Sequence, residues 1–356
     1  MDKPRERGVS RRRVLQGLAS LVLVVAIFAF ALPKVADFGE VRAEIQQMTW
    51  LELSTLLALS AWNIVSYWLV MVASLPGLNY WQAMKVNQTS TAIANTMPGG
   101  GALGVGVTYA MYSGYGFSNA VIARSVVVSG IWNNFVKLGM PVVALAFLAA
   151  QGAGSTGLAT AAAVGIAVLA AALVLFGLTL RSDDLAARVG NWSSRAASSL
   201  RRVVRKPPVT QWGPSFVRFR SDTVDLLRGR WIPLTAATVV SHLSLYAVLL
   251  IALRHVGVSD AEVGWAEVLA AFAFVRLVSA LPITPGGLGV VELGLTAALV
   301  AAGGDEAQVV AAVLVFRAFT YLLPIPFGAL TYLAWRRGRE RRRRAAEADA
   351  AVPAAR

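Results

Sequence analysis

Apolar residues dominate six stretches of this chain, at 14–32, 50–75, 120–150, 157–180, 231–253 and 307–334. Each holds the ~20 residues that a helix needs to cross a bilayer, or more. The stretch 14–32 follows an Arg-rich start, as a signal peptide would. Pro33-Lys34 stands after it in place of a small-x-small cleavage site, so we read an uncleaved first span. Two further apolar regions are interrupted. Residues 80–113 are broken at Pro98-Gly99-Gly100-Gly101, and residues 262–301 at Pro282 and Pro285-Gly286-Gly287. Proline and glycine end helices there, so each region predicts a hairpin of two short helices.

The two halves repeat an order of parts. Thr96-Met97-Pro98-Gly99-Gly100 resembles Ile283-Thr284-Pro285-Gly286-Gly287, and each is followed by a small-residue helix and a short polar turn. A long span with an internal proline comes next, carrying Pro141 in one half and Pro324 in the other, while Trp50 and Trp231 each open a span upstream. The expected fold is an all-α polytopic membrane protein built as an inverted repeat of helical units, each with a Pro-Gly-Gly broken hairpin. Arms such as 86–97 and 100–113 are short for full crossings, which favours re-entrant hairpins lined by protein or a wet cavity. The expected layout is a basic N-terminus at 1–13 and one membrane domain over 14–335. That domain holds repeat one at about 50–150, a basic loop at 181–230 and repeat two at about 231–334. Residues 336–356 are expected to be a disordered basic tail.

Charge fixes an orientation. The net charge is +14 and the pI about 10.8, yet the mean hydropathy is +0.60 and only 15% of residues are charged. A soluble globular domain averages roughly 25%. Residues 1–13 carry six Lys/Arg, 181–230 eleven and 335–356 eight, which is 25 of the 33. Nucleic-acid binding would account for the pI but not for the apolar runs between the clusters, so no nucleic-acid partner is expected. Basic segments beside spans stay cytoplasmic. With both termini and the 181–230 loop inside, the first span goes out, unit one begins and ends outside, 157–180 returns, and unit two begins and ends inside. The two units then have opposite orientation, a transporter arrangement with its site near the midplane. Within 181–230, Leu185, Val189, Trp192, Leu200, Val203 and Val204 alternate with arginines, as in an amphipathic helix on an anionic leaflet, and Phe216 to Arg230 reads as a second surface helix.

Cysteine is absent and there are two histidines, so no thiolate or imidazole metal cluster is expected and no cofactor is implied. Candidate chemistry rests on ionisable groups at membrane depth, which cost about 2.5–3.5 kcal/mol each on insertion scales and need a partner or a wet cavity. Arg317 and Glu292 are the economical pair: a structural lock, or an arginine that meets an anionic head group with a carboxylate tuning it. Arg276 either contacts the head group or snorkels to the interface. Lys137 occupies the matching span of unit one beside Asn133 and Asn134, whose alternative is helix-to-helix hydrogen bonding. Arg124 reads as interfacial. Pro98, Gly99, Gly100, Pro285, Gly286 and Gly287 permit close approach, and a helix starting after each break offers N–H groups to a phosphate. Tight turn packing is the alternative.

Pro282-Ile283-Thr284-Pro285-Gly286-Gly287-Leu288-Gly289-Val290-Val291-Glu292, together with Phe316-Arg317-Ala318-Phe319-Thr320-Tyr321-Leu322-Leu323-Pro324, resembles the transmembrane, flippase-like half of lysylphosphatidylglycerol synthases over roughly 14–335. The resemblance implies a polytopic bacterial or archaeal plasma-membrane protein that handles phospholipids or lipid-linked head groups, and the expected location is a bacterial plasma membrane with both termini cytoplasmic. Many relatives look like Pro-x-Arg-x-Gly-Glu-x-x-Arg in the first half, where this chain has Pro98-Gly99-Gly100-Gly101-Ala102-Leu103-Gly104-Val105-Gly106 and lacks both charges. After Trp335 only a charged tail remains where the synthase would follow. The expected function is therefore translocation of a phospholipid or lipid-linked precursor, with anionic membrane lipids, a separate synthase or a second copy as partners. The alternatives are a membrane transferase, against which no catalytic constellation is visible, and a scaffold for a separate synthase.

Overall fold

A computed structural model describes residues 37–97, 99–152, 156–203, 207, 212–279 and 284–351, and these contain helices and no strand. The expected span 14–32, the basic segment 1–13 and Pro98 lie outside the described residues. A short helix, α1 (Phe38–Gln47), leads into α2 (Trp50–Ser74). The first broken hairpin is α3 (Tyr80–Thr96) and α4 (Gly100–Gly114). Long helices α5 (Asn119–Ala150) and α6 (Thr156–Arg181) follow. Then come α7 (Asp183–Val203) and α8 (Trp212–His255). The second hairpin is α9 (Trp265–Val278), a tight turn at Pro285–Gly287, and α10 (Val290–Ala301). The chain closes with α11 (Glu306–Arg317), a π-turn at Ala318–Leu322 and α12 (Pro324–Ala351).

Five helical segments among the described residues are long and apolar enough to cross a membrane: Trp50–Ser74, Asn119–Ala150, Ala159–Arg181, Trp212–His255 and Glu306–Arg341. They fall on the expected stretches, and the protein is an all-α polytopic membrane protein. Local sequence sets the starts. Thr49 and Glu52 cap α2 reciprocally, with Thr49 N–H donating to Glu52 Oε2 at 2.7 Å. Asn79 and Gln82 do the same for α3. The breaks are glycine conformations: Gly99 at φ 68° precedes α4, and Gly286 and Gly287, at φ 58° and 70°, turn the chain before α10.

The largest core cluster joins Val248, Leu249 and Ala252 of α8 to Phe272 of α9, Leu295 and Leu299 of α10, and Val309 to Val313 of α11. Val41 of α1 and Leu56 of α2 close it. Helix α3 is clasped on two sides by small residues. A Cβ at Gly328 of α12 would strike the Gln88 carbonyl, one at Gly100 the Ala94 carbonyl, and one at Gly104 would lie 2.9 Å from the Ser90 oxygen. Close approach through small residues is how membrane helices gain packing energy. The most apolar stretch of α6, by contrast, buries nothing against the protein, as for a helix solvated by lipid tails.

Two segments differ from the sequence expectation, Phe216 to Arg230 and the tail beyond Trp335, while α7 is the expected amphipathic helix. Phe216 to Arg230 is not a separate surface helix but the first part of the 44-residue α8. At 1.5 Å per residue α8 is about 66 Å long, roughly twice the hydrocarbon core. Pro233 does not stop it, because Leu226 before the proline and Leu234 and Ala237 after it bury in one cluster with Val70 and Val128. Helix α7 docks on α8 through Ala186, Gly190 and Ser194, with Arg220 clamping its start by a 2.6 Å ion pair to Asp183 and a 2.8 Å bond to the Leu180 carbonyl. Its Val189 and Trp192 remain exposed, as an interfacial face requires. The tail beyond Trp335, expected to be disordered, continues α12 to Ala351, with Arg336 and Glu340 paired one turn apart at 3.0 Å.

Candidate functional site

The second hairpin break carries a compact polar knot. Glu292 lies in the first turn of α10, where Gly289 N–H donates to its Oε2 at 2.7 Å. Its other oxygen accepts from Arg317 Nε at 2.7 Å. The carboxylate is 1% exposed and the arginine side chain 12%. Arg317 also donates from Nη2 to the Gly286 carbonyl at 3.2 Å, and its guanidinium lies over the Tyr321 ring at 4.2 Å from the centroid. The expected Glu292–Arg317 pair is therefore formed. The amide end of α10, expected to be open to an anion, is occupied by Glu292, because a carboxylate three residues into a helix reaches back to the first N–H groups.

The π-turn sets Tyr321 beside Arg317. Pro324 has no N–H to return to the Thr320 carbonyl, and Leu323 N–H instead bonds to Ala318 at 2.9 Å, one residue further back than an α-helix allows. Tyr321 then reaches the end of the first hairpin. Its hydroxyl donates to the Asn95 carbonyl at 2.6 Å, and Asn95 Nδ2 donates to the Tyr321 carbonyl at 3.1 Å. Gly286 is pressed into the same place, since a Cβ there would meet the Tyr321 ring and stand 3.0 Å from Asn95 Oδ1. The two breaks thus lie side by side.

Beside them is a cavity of about 250 Å³ lined by three cations from three helices: Lys137 of α5, Arg276 of α9 and Arg317 of α11. Thr91, Asn95, Thr320, Tyr321 and Gly286 complete its polar wall. A second cavity of about 410 Å³ shares Thr91, Arg276 and Thr320 with it and continues along α3, past Asn87 and Gln88. Tyr67, Asn133 and His242 face it from α2, α5 and α8, and Gly101 and Gly104 of the first hairpin also line it.

The structure brings Arg317, Arg276, Lys137 and Gly286 onto one cavity, with Glu292 behind the wall. Gly99, Gly100, Pro285 and Gly287 form the turns. Asn134 stands apart: it is exposed and donates to the Gly130 carbonyl at 2.9 Å, while its neighbour Asn133 faces the cavity. Consecutive residues on a helix point about 100° apart, so only one of the pair can face inward. Sequence reasoning missed the polar stripe of α3 although its signal was present. Asn87, Thr91 and Asn95 recur at four-residue spacing in a region otherwise made for membrane burial. His242 and Tyr67 gave no such signal. Among the described residues no three His, Asp or Glu side chains gather, so the donors offered here are guanidinium, ammonium, hydroxyl and amide groups.

No curated protein matches the chain significantly. Residues 17–328 match the family described as Lysylphosphatidylglycerol synthase TM region, a span that contains both hairpins and every residue of the cationic cavity. The chain belongs to the lysylphosphatidylglycerol synthase transmembrane-region family.

Proposed function

We propose that this protein binds the phosphate of a phospholipid or lipid-linked precursor and moves that head group across the plasma membrane. The observation that carries the reading is the convergence of Lys137, Arg276 and Arg317 on one cavity inside the membrane domain. Each charge costs about 2.5–3.5 kcal/mol at membrane depth on insertion scales. Glu292 answers one of them, and an anionic head group is the partner that answers the others.

The element order supports a two-sided site. A long helix, two short helices and a long helix occur twice, as α2 to α5 and as α8 to the α11–α12 pair. The short arms hold 12 to 17 residues, or about 18–26 Å, less than the ~30 Å hydrocarbon core. Re-entrant hairpins from opposite faces have tips that meet, as Gly286 and Asn95 do. On its charge we read the 181–230 segment as cytoplasmic, with both termini, and on that reading the units form an inverted repeat with the cavity between them.

The test is headgroup-resolved lipid scrambling in proteoliposomes with the purified chain, read by quenching of labelled lipid. Anionic phospholipid should equilibrate between leaflets faster than in protein-free vesicles, and Arg317→Met should remove the gain. Equal rates with and without protein for every phosphate-bearing lipid would refute the proposal.

A further inference from the structure

We infer that the head group this site accepts is a phosphate ester bearing uncharged hydroxyl groups, a polyol or a sugar, and that a cationic aminoacylated head group is refused. The inference rests on the translocation reading and narrows its substrate. It starts from the chemistry of the two adjoining cavities. Lys137, Arg276 and Arg317 make the smaller one a phosphate-sized anion site, since guanidinium forks and an ammonium are the usual donors to phosphate oxygens. No Asp or Glu lines either cavity among the described residues. Residues 280–283 beside the break, which lie outside those described, contain no acid either. Glu292 is buried behind the wall and already holds both the Arg317 guanidinium and the Gly289 amide.

The larger cavity supplies neutral hydrogen-bonding groups: Asn63, Asn87, Gln88, Thr91, Ser129 and Asn133. Three of its buried atoms are unmet, and one of them, Arg276 Nε, is a donor of the kind that a phosphate oxygen answers. Gln88 Oε1 and His242 Nε2 have no hydrogen-bond partner, and these residues are 1% and 3% exposed. His242 Nδ1 lies 2.9 Å from the Thr238 carbonyl. A carbonyl only accepts, so the proton sits on Nδ1 and Nε2 is left as an acceptor. These two atoms are therefore acceptors that call for a donor from the ligand, and a buried polar atom without one is costly. Hydroxyl groups supply donors without charge. An ammonium also supplies donors, but it would sit beside three cations with no carboxylate to answer it, and a buried like-charge contact is strongly unfavourable. The hydroxyl-bearing part fits the larger cavity while its phosphate stays at the smaller, the two cavities sharing Thr91 and Arg276 in their walls.

The experiment separates this from translocation itself. The purified full chain is titrated with four probes, read by intrinsic tryptophan fluorescence: dihexanoyl phosphatidylglycerol, dihexanoyl phosphatidic acid, dihexanoyl lysyl-phosphatidylglycerol and free glycerol 1-phosphate. Phosphatidylglycerol should bind about tenfold or more tighter than the lysyl form, and several-fold tighter than phosphatidic acid, as one or two well-placed hydrogen bonds imply. Gln88→Leu, and independently Asn133→Leu on another helix, should shrink the preference for phosphatidylglycerol over phosphatidic acid. Lysyl-phosphatidylglycerol binding as tightly as phosphatidylglycerol overturns the inference, as does phosphatidic acid matching phosphatidylglycerol, or no binding by any probe. Glycerol 1-phosphate competing on equal terms keeps the head-group class and moves its source from lipid to solute. The stated preference without any lipid movement in proteoliposomes overturns the translocation reading and leaves the pocket assignment standing.

Discussion

Splitting the Glu292–Arg317 pair tests whether this contact locks the hairpin, serves the head group, or does both. The two partners are unequally provided for. Without Glu292, Arg317 keeps the Gly286 carbonyl at 3.2 Å and the Tyr321 ring at 4.2 Å. Without Arg317, Glu292 keeps only the Gly289 amide, at a site 1% exposed. Arg317→Met therefore strands a buried carboxylate and should cost about 3–5 kcal/mol. Glu292→Gln removes a charge-assisted bond but leaves a carboxamide in the same shape, and should cost about 1.5–3 kcal/mol. The double variant holds neither charge and should cost less than the sum, with a coupling of about 3 kcal/mol. Unfolding by SDS in mixed micelles reads all four corners of the cycle. Effects that add within about 0.5 kcal/mol would refute the electrostatic argument. Transport then separates the roles. If the double variant regains stability but moves no lipid, Arg317 acts on the head group. If it regains both, the pair is a structural lock and the head-group role of Arg317 fails.

Gly286→Ala should cost about 1–3 kcal/mol in the same unfolding assay, because the residue has φ 58° and a methyl there meets the Tyr321 ring; unchanged stability would mean that the breaks do not press together. Gly328→Leu should destabilise by about 1–3 kcal/mol through its clash with the Gln88 carbonyl, whereas Gly338→Leu, where no neighbour lies within 4 Å, should stay within about 0.5 kcal/mol of the parent. Single cysteines at Gly101 and Leu288 in this cysteine-free chain should react with a membrane-impermeant thiol reagent from the cytoplasm and from outside respectively. Labelling of both from one face refutes the two-sided cavity. Reporters fused after residues 206 and 345 should both score cytoplasmic, and a periplasmic score at 206 breaks the inverted topology.

The spans and the breaks were legible because their signals are local. Length and hydropathy mark a crossing helix, and Pro-Gly-Gly marks a stop, whatever packs around them. The Glu292–Arg317 pair was legible for a different reason: two opposite charges at membrane depth, 25 residues apart, have few other partners to find. The boundary at Arg230 was misread because its charges suggested a surface helix. Yet between Phe216 and Trp231 no cap or proline interrupts the helical pattern, and burial of Leu226 and Leu234 together carries the helix past Pro233. The choice between Asn133 and Asn134 was not legible, since the phase of α5 depends on where its neighbours lie. The meeting of Lys137 with Arg276 depends on contacts between the two halves, which no local pattern encodes.

The α3 stripe shows how the glycines and the charges form one design. Asn87, Thr91 and Asn95 would be costly against lipid, where unmet polar groups find no water. Gly328 on one side and Gly100 and Gly104 on the other bring α12 and α4 against the backbone of α3. That clamp leaves the stripe one direction to face, the cavity, where Arg276 and Arg317 also point. Three cations and one buried carboxylate then share the region, which leaves two positive charges without a protein counter-charge among the described residues lining these cavities. Arg276 Nε has no hydrogen-bond partner. Such an arrangement is unfavourable in the empty protein and is relieved by an anion, so a bound phosphate stabilises the fold in proportion to RT ln(1 + [L]/Kd). The same residues therefore account for the tight glycine packing that holds the hairpins together and, on the proposed reading, for the affinity of the cavity between them for a negative head group.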